Sequence, residues 1–494
     1  MILLFAGIAI GVLIGSYLTG RHQPLLYLAL AGLLGSVVVY DRAAPDAGAL
    51  ASGTGPGAGT TLGEGVEGGV EGAGPDAAAG AGAEAGGVAG PAGPGGQLTQ
   101  PAGLSCDRER NGGATDTGVS KDKIKLAATV VQSGIGASFL GQSPVGMQAV
   151  VRKVNSQGGV CGRLLDLKLV DDGWEAPRGL TFIRNFINEG TFALPVTPSS
   201  EGLTAAIESK DISNAKIPVV GTDGMLIQQY RDPYVWPVAT ATISTMRVMA
   251  RHGYEKGARR FGIVYDKFYK FGREGAEAFK DYLEKQPGAQ IKAYTGILPG
   301  QASYSSDIQS FNSACNGECD MVALLLEPST AETWIAGRPQ FGTMITSGSQ
   351  TLFNERFASN CGKPCAGMLV WTGYNPPVGN LASTPAIAAY VQDVKSVSPT
   401  VDVTNQFLQG SYLGMTVFVE ALKKVGPQLT RERLKQALDS MDYPAGISSQ
   451  LAWKPGNHHA NIRAQAFSIV VAQGSFAGFR DEQTGFIADP ALGN

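Results

Sequence analysis

Residues 155–173 read N-S-Q-G-G-V-C-G-R-L-L-D-L-K-L-V-D-D-G. Gly158-Gly159 end a helix, a short turn follows, and the alternation from Leu164 to Val170 predicts a strand that runs into Asp171-Asp172 and a loop. A helix–turn–strand step of this kind builds an α/β sheet whose strand tips carry recognition loops. The flanking sequence repeats the step, which points to a ligand-binding module rather than to a catalyst.

Upstream, Ile124 to Val131 is β-rich and leads through the loop Ser133 to Phe139 into a helix opened by Ser143-Pro144, a cap residue with proline in the first turn. Downstream, a helix is predicted at Pro177 to Asn188, with short strands at Phe192 to Val196, Ile217 to Val220 and Tyr234 to Val238. The pattern then restarts with a helix at Ser244 to Gly253 and a strand at Phe261 to Tyr265. An amphipathic helix follows at Gly272 to Gln286, then strand Met321 to Leu326 and helix Pro328 to Ala336. Strand Met368 to Thr372, helix Gln406 to Val425 and strand Phe467 to Ala472 complete it. Repeated βα units imply parallel sheets, and this much chain exceeds one comfortable core, so two similar lobes are expected. Their strand ends would line a shared cleft.

Composition divides the 494 residues into three. Ile2 to Leu18 and Leu25 to Tyr40 are apolar runs split by Arg21-His22-Gln23-Pro24. No basic leading segment or small-residue cleavage site precedes the globular part, so residues 1–42 are expected to form a transmembrane hairpin with Arg21-His22 in the cytoplasm. A single span, with the other run lying in the interface, is the alternative. Residues 43–105 are a Gly/Ala-rich linker without a core, with a reach of about 40 Å as a flexible coil. Between residues 43 and 100 stand six acids and no Lys or Arg; taking those six negative charges from the net −3 leaves the remainder at +3. No basic cluster tracks a phosphate backbone, which excludes nucleic acid as a partner. The globular part, 106–494, is then expected outside the cytoplasm, at the cell membrane, where disulfides form. Cys106–Cys161 with the two local pairs Cys315/Cys319 and Cys361/Cys365 is the preferred pairing, and a zinc site on the two C-x3-C pairs is the rival.

Four pieces carry a family resemblance: T-G-V-S-K-D-K-I-K-L-A-A-T from Thr117, the stretch from Asn155 to Asp172, P-V-T-P-S-S-E-G-L-T-A-A from Pro195, and F-G-I-V-Y-D-K-F-Y-K-F-G-R-E-G from Phe261. In order and spacing, over roughly residues 117–488, the chain resembles the branched-chain amino-acid-binding (Leu/Ile/Val-binding) family, the type I periplasmic substrate-binding proteins of ABC transporters. The resemblance implies an α/β fold of two Rossmann-like lobes with parallel-type central sheets, joined by three crossing hinge segments. Lobe one would take about 117–238 and 373–445, and lobe two about 239–372 and 446–488. It also implies capture of a small molecule by lobe closure, an ABC transporter permease as partner, and no cofactor.

Four loops should face the cleft. Ser133 to Phe139 makes Ser138 and Phe139 candidates; its glycines match neither a dinucleotide fingerprint nor a P-loop. Thr197-Pro198-Ser199-Ser200 presents hydroxyls at a helix start, and the family holds a ligand carboxylate with a serine in the matching loop, which singles out Ser199 and Ser200. Ordinary N-capping by Ser200 is the competing role. In Gly221-Thr222-Asp223-Gly224, Thr222 fits the family's pattern and Asp223 departs from it: either it caps a turn, or the ligand carries a cation or amide there. In lobe two the resemblance places an aromatic over the ligand, Phe271 first and Tyr269 second, against plain packing. The family's ammonium-pairing acid has no counterpart in Ile345 to Gln350; Glu327 is the substitute, or a surface acid at a helix start. The ligand class is therefore an amino acid, an amide or a small organic acid.

An enzyme is not expected. His22, His252 and His458-His459 stand in no metal or nucleophile constellation, no G-x-S-x-G elbow surrounds any serine, and the adjacent Asp171-Asp172 should point to opposite faces. A sensor of the same fold, signalling to a separate partner, is the alternative function.

Overall fold

The computed structural model describes residues 106–453, 455–456, 458 and 463–491. The expected membrane hairpin and the linker lie outside them. Among the described residues no helix is long and apolar enough to cross a membrane.

Two sheets organise the body. The first contains β1 (Lys123–Val130), β2 (Leu164–Asp171), β3 (Leu194–Pro195), β4 (Val219–Val220) and β5 (Val235–Trp236). β2 and β1 pair in parallel along their whole length, Lys123 opposite Leu164 and Val130 opposite Asp171. A parallel bridge from Leu126 to Ala193 joins β1 to the β3-β4-β5 ladder. The helices of this half are α1 (Ala137–Leu140), α2 (Ser143–Ser156), α3 (Ala176–Asn188), α4 (Ser200–Glu208) and α5 (Asp211–Ala215).

The second sheet runs β14-β13-β10-β9-β8-β6-β7, with β6 (Arg260–Asp266), β7 (Gln290–Ile297), β8 (Met321–Leu325), β9 (Ile345–Gly348) and β10 (Leu369–Thr372) all parallel. Against them β13 (Arg463–Ala472) runs antiparallel, and β14 (Ser475–Asp481) pairs antiparallel with β13, so it points the same way as β6 to β10. The predicted last strand therefore does not close the sheet; it hands the edge to β14 through the turn at Gln473-Gly474. Around this sheet stand α6 (Thr242–Glu255), α7 (Lys270–Leu283), α8 (Ser305–Cys315), α9 (Pro328–Ala336) and α10 (Glu355–Cys361). α11 (Pro385–Val397), α12 (Gln406–Val425) and α13 (Arg431–Asp439) return to the first half, and β11 (Asp442–Tyr443) with β12 (Leu451–Ala452) makes a small hairpin. The chain thus passes between the sheets after β5, after β10 and before β13.

α12 shows how the sequence fixes an element. Asn405 accepts the N–H groups of Phe407 and Leu408 at its start, Gly426 takes φ +74° at its end, and sixteen of its twenty residues are buried, so it is a core helix and not a surface one. It lies so close to the tip of β4 that Gly221, at φ +75°, faces the Cα of Gly414 with no room for a side chain on either.

The six cysteines form Cys106–Cys161, Cys315–Cys319 and Cys361–Cys365, which leaves no free thiol for the rival zinc site. Arg163, 1% exposed, gives its guanidinium to the carbonyls of Ser120, Pro427, Asn111 and Gly113 and binds the segment behind Cys106 to the base of β1 and β2.

Candidate ligand-binding site

The tips of four strands converge between the two sheets, and each carries a carboxylate: Asp172 after β2, Asp223 after β4, Asp266 ending β6 and Glu327 after β8. Each acid has a local reason for its place. Asp172 Oδ1 accepts the Ser199 hydroxyl at 2.9 Å and the Trp174 N–H at 2.9 Å. Asp223 Oδ1 accepts Met225 N–H at 3.2 Å and the Gln229 amide at 3.0 Å, so it caps a turn. Asp266 Oδ1 accepts the N–H groups of Phe268 and Tyr269 at 2.7 and 3.1 Å. Glu327 is the N-cap of α9, taking Ser329 N–H at 2.7 Å and Thr330 N–H at 2.5 Å. It is fully buried and not the surface acid that its position at a helix start suggested.

The second oxygens of Asp172, Asp223 and Asp266 have no hydrogen-bond partner. Burial pushes all three up, Asp172 and Asp266 to about 6 and Asp223 to about 7, because the charged form loses water that its partial set of donors does not replace. Burial raises Glu201 as well, against the N–H and charge of Lys270. The adjacent Asp171 points outward as alternation requires, holding Gln132 and Gly173 N–H.

Aromatic rings fill the space among these acids. Trp174 stacks on Tyr269 with centroids 4.0 Å apart and planes at 25°, and lies 5.5 Å from Phe271 and 5.2 Å, edge on, from Phe139. Phe139 in turn meets Phe407 of α12 at 5.2 Å. The Trp174 indole N–H donates to the Ser200 hydroxyl at 3.0 Å. Trp174 and Phe139 follow strands of the first sheet and Tyr269 and Phe271 follow β6, so the stack crosses from one half to the other and joins the core beneath β6 and β8.

The predicted residues fall into four groups. Phe139, Tyr269 and Phe271 share the stack. Ser138 donates to Glu327 at 3.2 Å, a second bond across the halves. Ser199 and Ser200 open α4 without capping it, since their hydroxyls serve Asp172 and Trp174. Thr222 stands apart, its hydroxyl bonded to Gln229 and receiving Gly224 N–H at 3.1 Å. No open gap therefore separates Ser199 from Phe271; Trp174 occupies it. Hollows of about 480 and 530 Å³ lie elsewhere, against α8 and over the outer face of β2. Trp174 escaped sequence reasoning. Its one signal is an aromatic directly after Asp-Gly at a strand tip. The loops are also strained where they meet the site, with Trp174 at φ +66° and the β-branched Val196, just before the serine loop, at φ +56°.

The sequence profile of the periplasmic binding protein family matches residues 123–475. Three solved structures show the same fold at low identity. A fatty acid ABC transporter substrate-binding protein from Thermomonospora curvata is 18% identical at TM-score 0.65, covering 76% of this chain and 95% of that one. A possible leucine/isoleucine/valine-binding protein from Rhodopirellula baltica is 13% identical at TM-score 0.62, covering 72% and 96%. A solute-binding protein of an ABC transporter from Rhodopseudomonas palustris, in complex with p-hydroxybenzoic acid, is 16% identical at TM-score 0.61, covering 74% and 98%. Comparison with proteins of curated function finds no sequence match. Two α/β halves and a profile spanning most of the chain together place this protein in the periplasmic binding protein family.

Proposed function

We propose that the protein is an extracytoplasmic solute-binding protein that captures a small polar or amphipathic molecule by closing its two lobes and delivers it to an ABC transporter permease. Residues 1–42, with their two apolar runs, would tether it to the membrane, and residues 43–105 would let it swivel there. The observation that carries this reading is the Trp174–Tyr269 stack, made by loops of opposite sheets at the strand tips where open α/β sheets bind ligands. Such a contact exists only with the lobes together, and a hinged pair that can part would expose both rings to a solute.

A thermal-shift screen of amino acids, amides and small organic acids tests it. A true ligand stabilises by mass action, by about 2.7 kcal/mol at a hundredfold excess over Kd, and so raises Tm. Purification from membranes tests the partner: a permease and its ATPase are expected, and recovery of a signalling enzyme instead would favour the sensor.

A further inference from the structure

Resting on the solute-binding reading, we infer that the ligand's seat is the one now filled by the Trp174 indole, and that it takes an aromatic amine and rejects free carboxylates. Trp174 is held there against its backbone preference. A bulky side chain at φ +66° is an outlier, and such strain persists where surrounding contacts over-determine it, as ligand clamps do. Those contacts are the ones a small aromatic ligand would need: Tyr269 face to face, Phe271 and Phe139 around the rim, and one hydrogen bond from a ring nitrogen to Ser200. Trp174 is thus a built-in occupant, and the parting of the lobes frees its seat.

The charge around the seat selects the ligand. The serine loop and the start of α4, where a ligand carboxylate could be met, face Asp172 and Asp223 instead. Ser199 is already committed to Asp172, and Asp223, 7% exposed, lies against the Ser200 hydroxyl and N–H. A nitrogen placed where the indole N–H now sits meets the Ser200 hydroxyl, behind which stands the Asp223 carboxyl. A carboxylate in that position would meet Asp172 and Asp223, which flank the serine loop. The flanking cations are engaged elsewhere: Lys270 with Glu208 at 2.5 Å, Arg178 with the Asp171 carbonyl, and Arg273 with the carbonyls of Lys267 and Phe268. An anion here would be buried without a counter-charge.

Tryptamine and indole-3-acetate share a ring system and differ in the charge they carry, so they test the inference directly on the full-length protein by calorimetry and thermal shift. Tryptamine should raise Tm and indole-3-acetate should not. Trp174→Gly, which relieves the strained φ and vacates the seat, should bind tryptamine about tenfold more tightly, since no internal occupant competes. Asp223→Asn should lose about tenfold in tryptamine affinity, as expected when one charge-assisted hydrogen bond is weakened. If Trp174→Gly does not fold, Trp174→Phe keeps a ring without its donor and should still bind tryptamine several-fold more tightly than the parent. Equal stabilisation by indole-3-acetate, or tryptamine affinity unchanged in the Trp174 variants, would overturn the inference. Binding of plain indole to Trp174→Gly as tightly as tryptamine would overturn it too, because a vacated cavity accepts any ring. A shift with leucine or another aliphatic solute and with no aromatic amine would sink this inference and leave solute binding intact, whereas a flat response to every compound would remove both.

Discussion

Asp172, Asp223 and Asp266 each trade one well-placed turn against one carboxylate oxygen left dry. Their protons stay on longer than in the unfolded chain, where such groups titrate near 4. Between pH 4 and 7 the folded state therefore binds more protons than the unfolded one, and stability falls as pH rises through that interval. The contribution is complete below about pH 4 and is lost as pH passes about 6 for Asp172 and Asp266 and about 7 for Asp223. Each unit of upward shift is worth about 1.4 kcal/mol, so Tm should decline measurably from pH 5 to 7.5. Asp223→Asn should flatten the upper part of that decline. A Tm that climbs across the interval in both proteins would show that the three acids are not held protonated.

Among the elements, the base of the first sheet depends on one side chain. Arg163→Ala would leave the buried carbonyls of Ser120, Pro427, Asn111 and Gly113 without their donor, at a cost of about 2–4 kcal/mol. Urea unfolding should show this as a lower midpoint at unchanged slope. Elements with strong end signals were legible in the sequence. Helices α9 and α12 begin and end where predicted, because Glu327 with Pro328 starts the one and Asn405 starts the other. Strands β3, β4 and β5 were each read as longer than their two residues; Pro195, Pro218 and Pro237 remove ladder donors beside or within them. β7 and α8 went unread. The edge strand β7 alternates weakly, and the Ser- and Asn-rich α8 looks like a loop until Ile308, Phe311 and Cys315 pack beneath it. The aromatics Phe139, Tyr269 and Phe271 could be placed from their positions at strand tips. The partners of Ser199 and Ser200 could not, because Asp172 and Trp174 reach them across 27 and 26 residues of sequence and a positive φ on Trp174 leaves no trace in composition.

At the scale of the whole molecule, specific contacts join the two halves, among them the Trp174–Tyr269 stack, the Ser138–Glu327 bond, the Lys270–Glu208 ion pair and the Gln406–Gln350 bond at 2.6 Å. A ring pair contributes about 1 kcal/mol beyond its buried area, so Tyr269→Ala should enlarge the population with separated lobes about fivefold. Small-angle X-ray scattering would register that as a larger radius of gyration in the variant without ligand. An unchanged radius would mean that the halves are fixed by their core and not by these contacts.

The Cys106–Cys161 bridge lies three residues ahead of β2, at the end of the sheet where Lys123 meets Leu164. Eight residues of strand, about 25 Å, stand between it and Asp171. Any tug transmitted along the chain ahead of Cys106 is thus received by a covalent rivet and the guanidinium clamp behind it, at the floor of the molecule. In the tethered protein proposed above, jaws at the opposite rim would work without bearing the load of the leash.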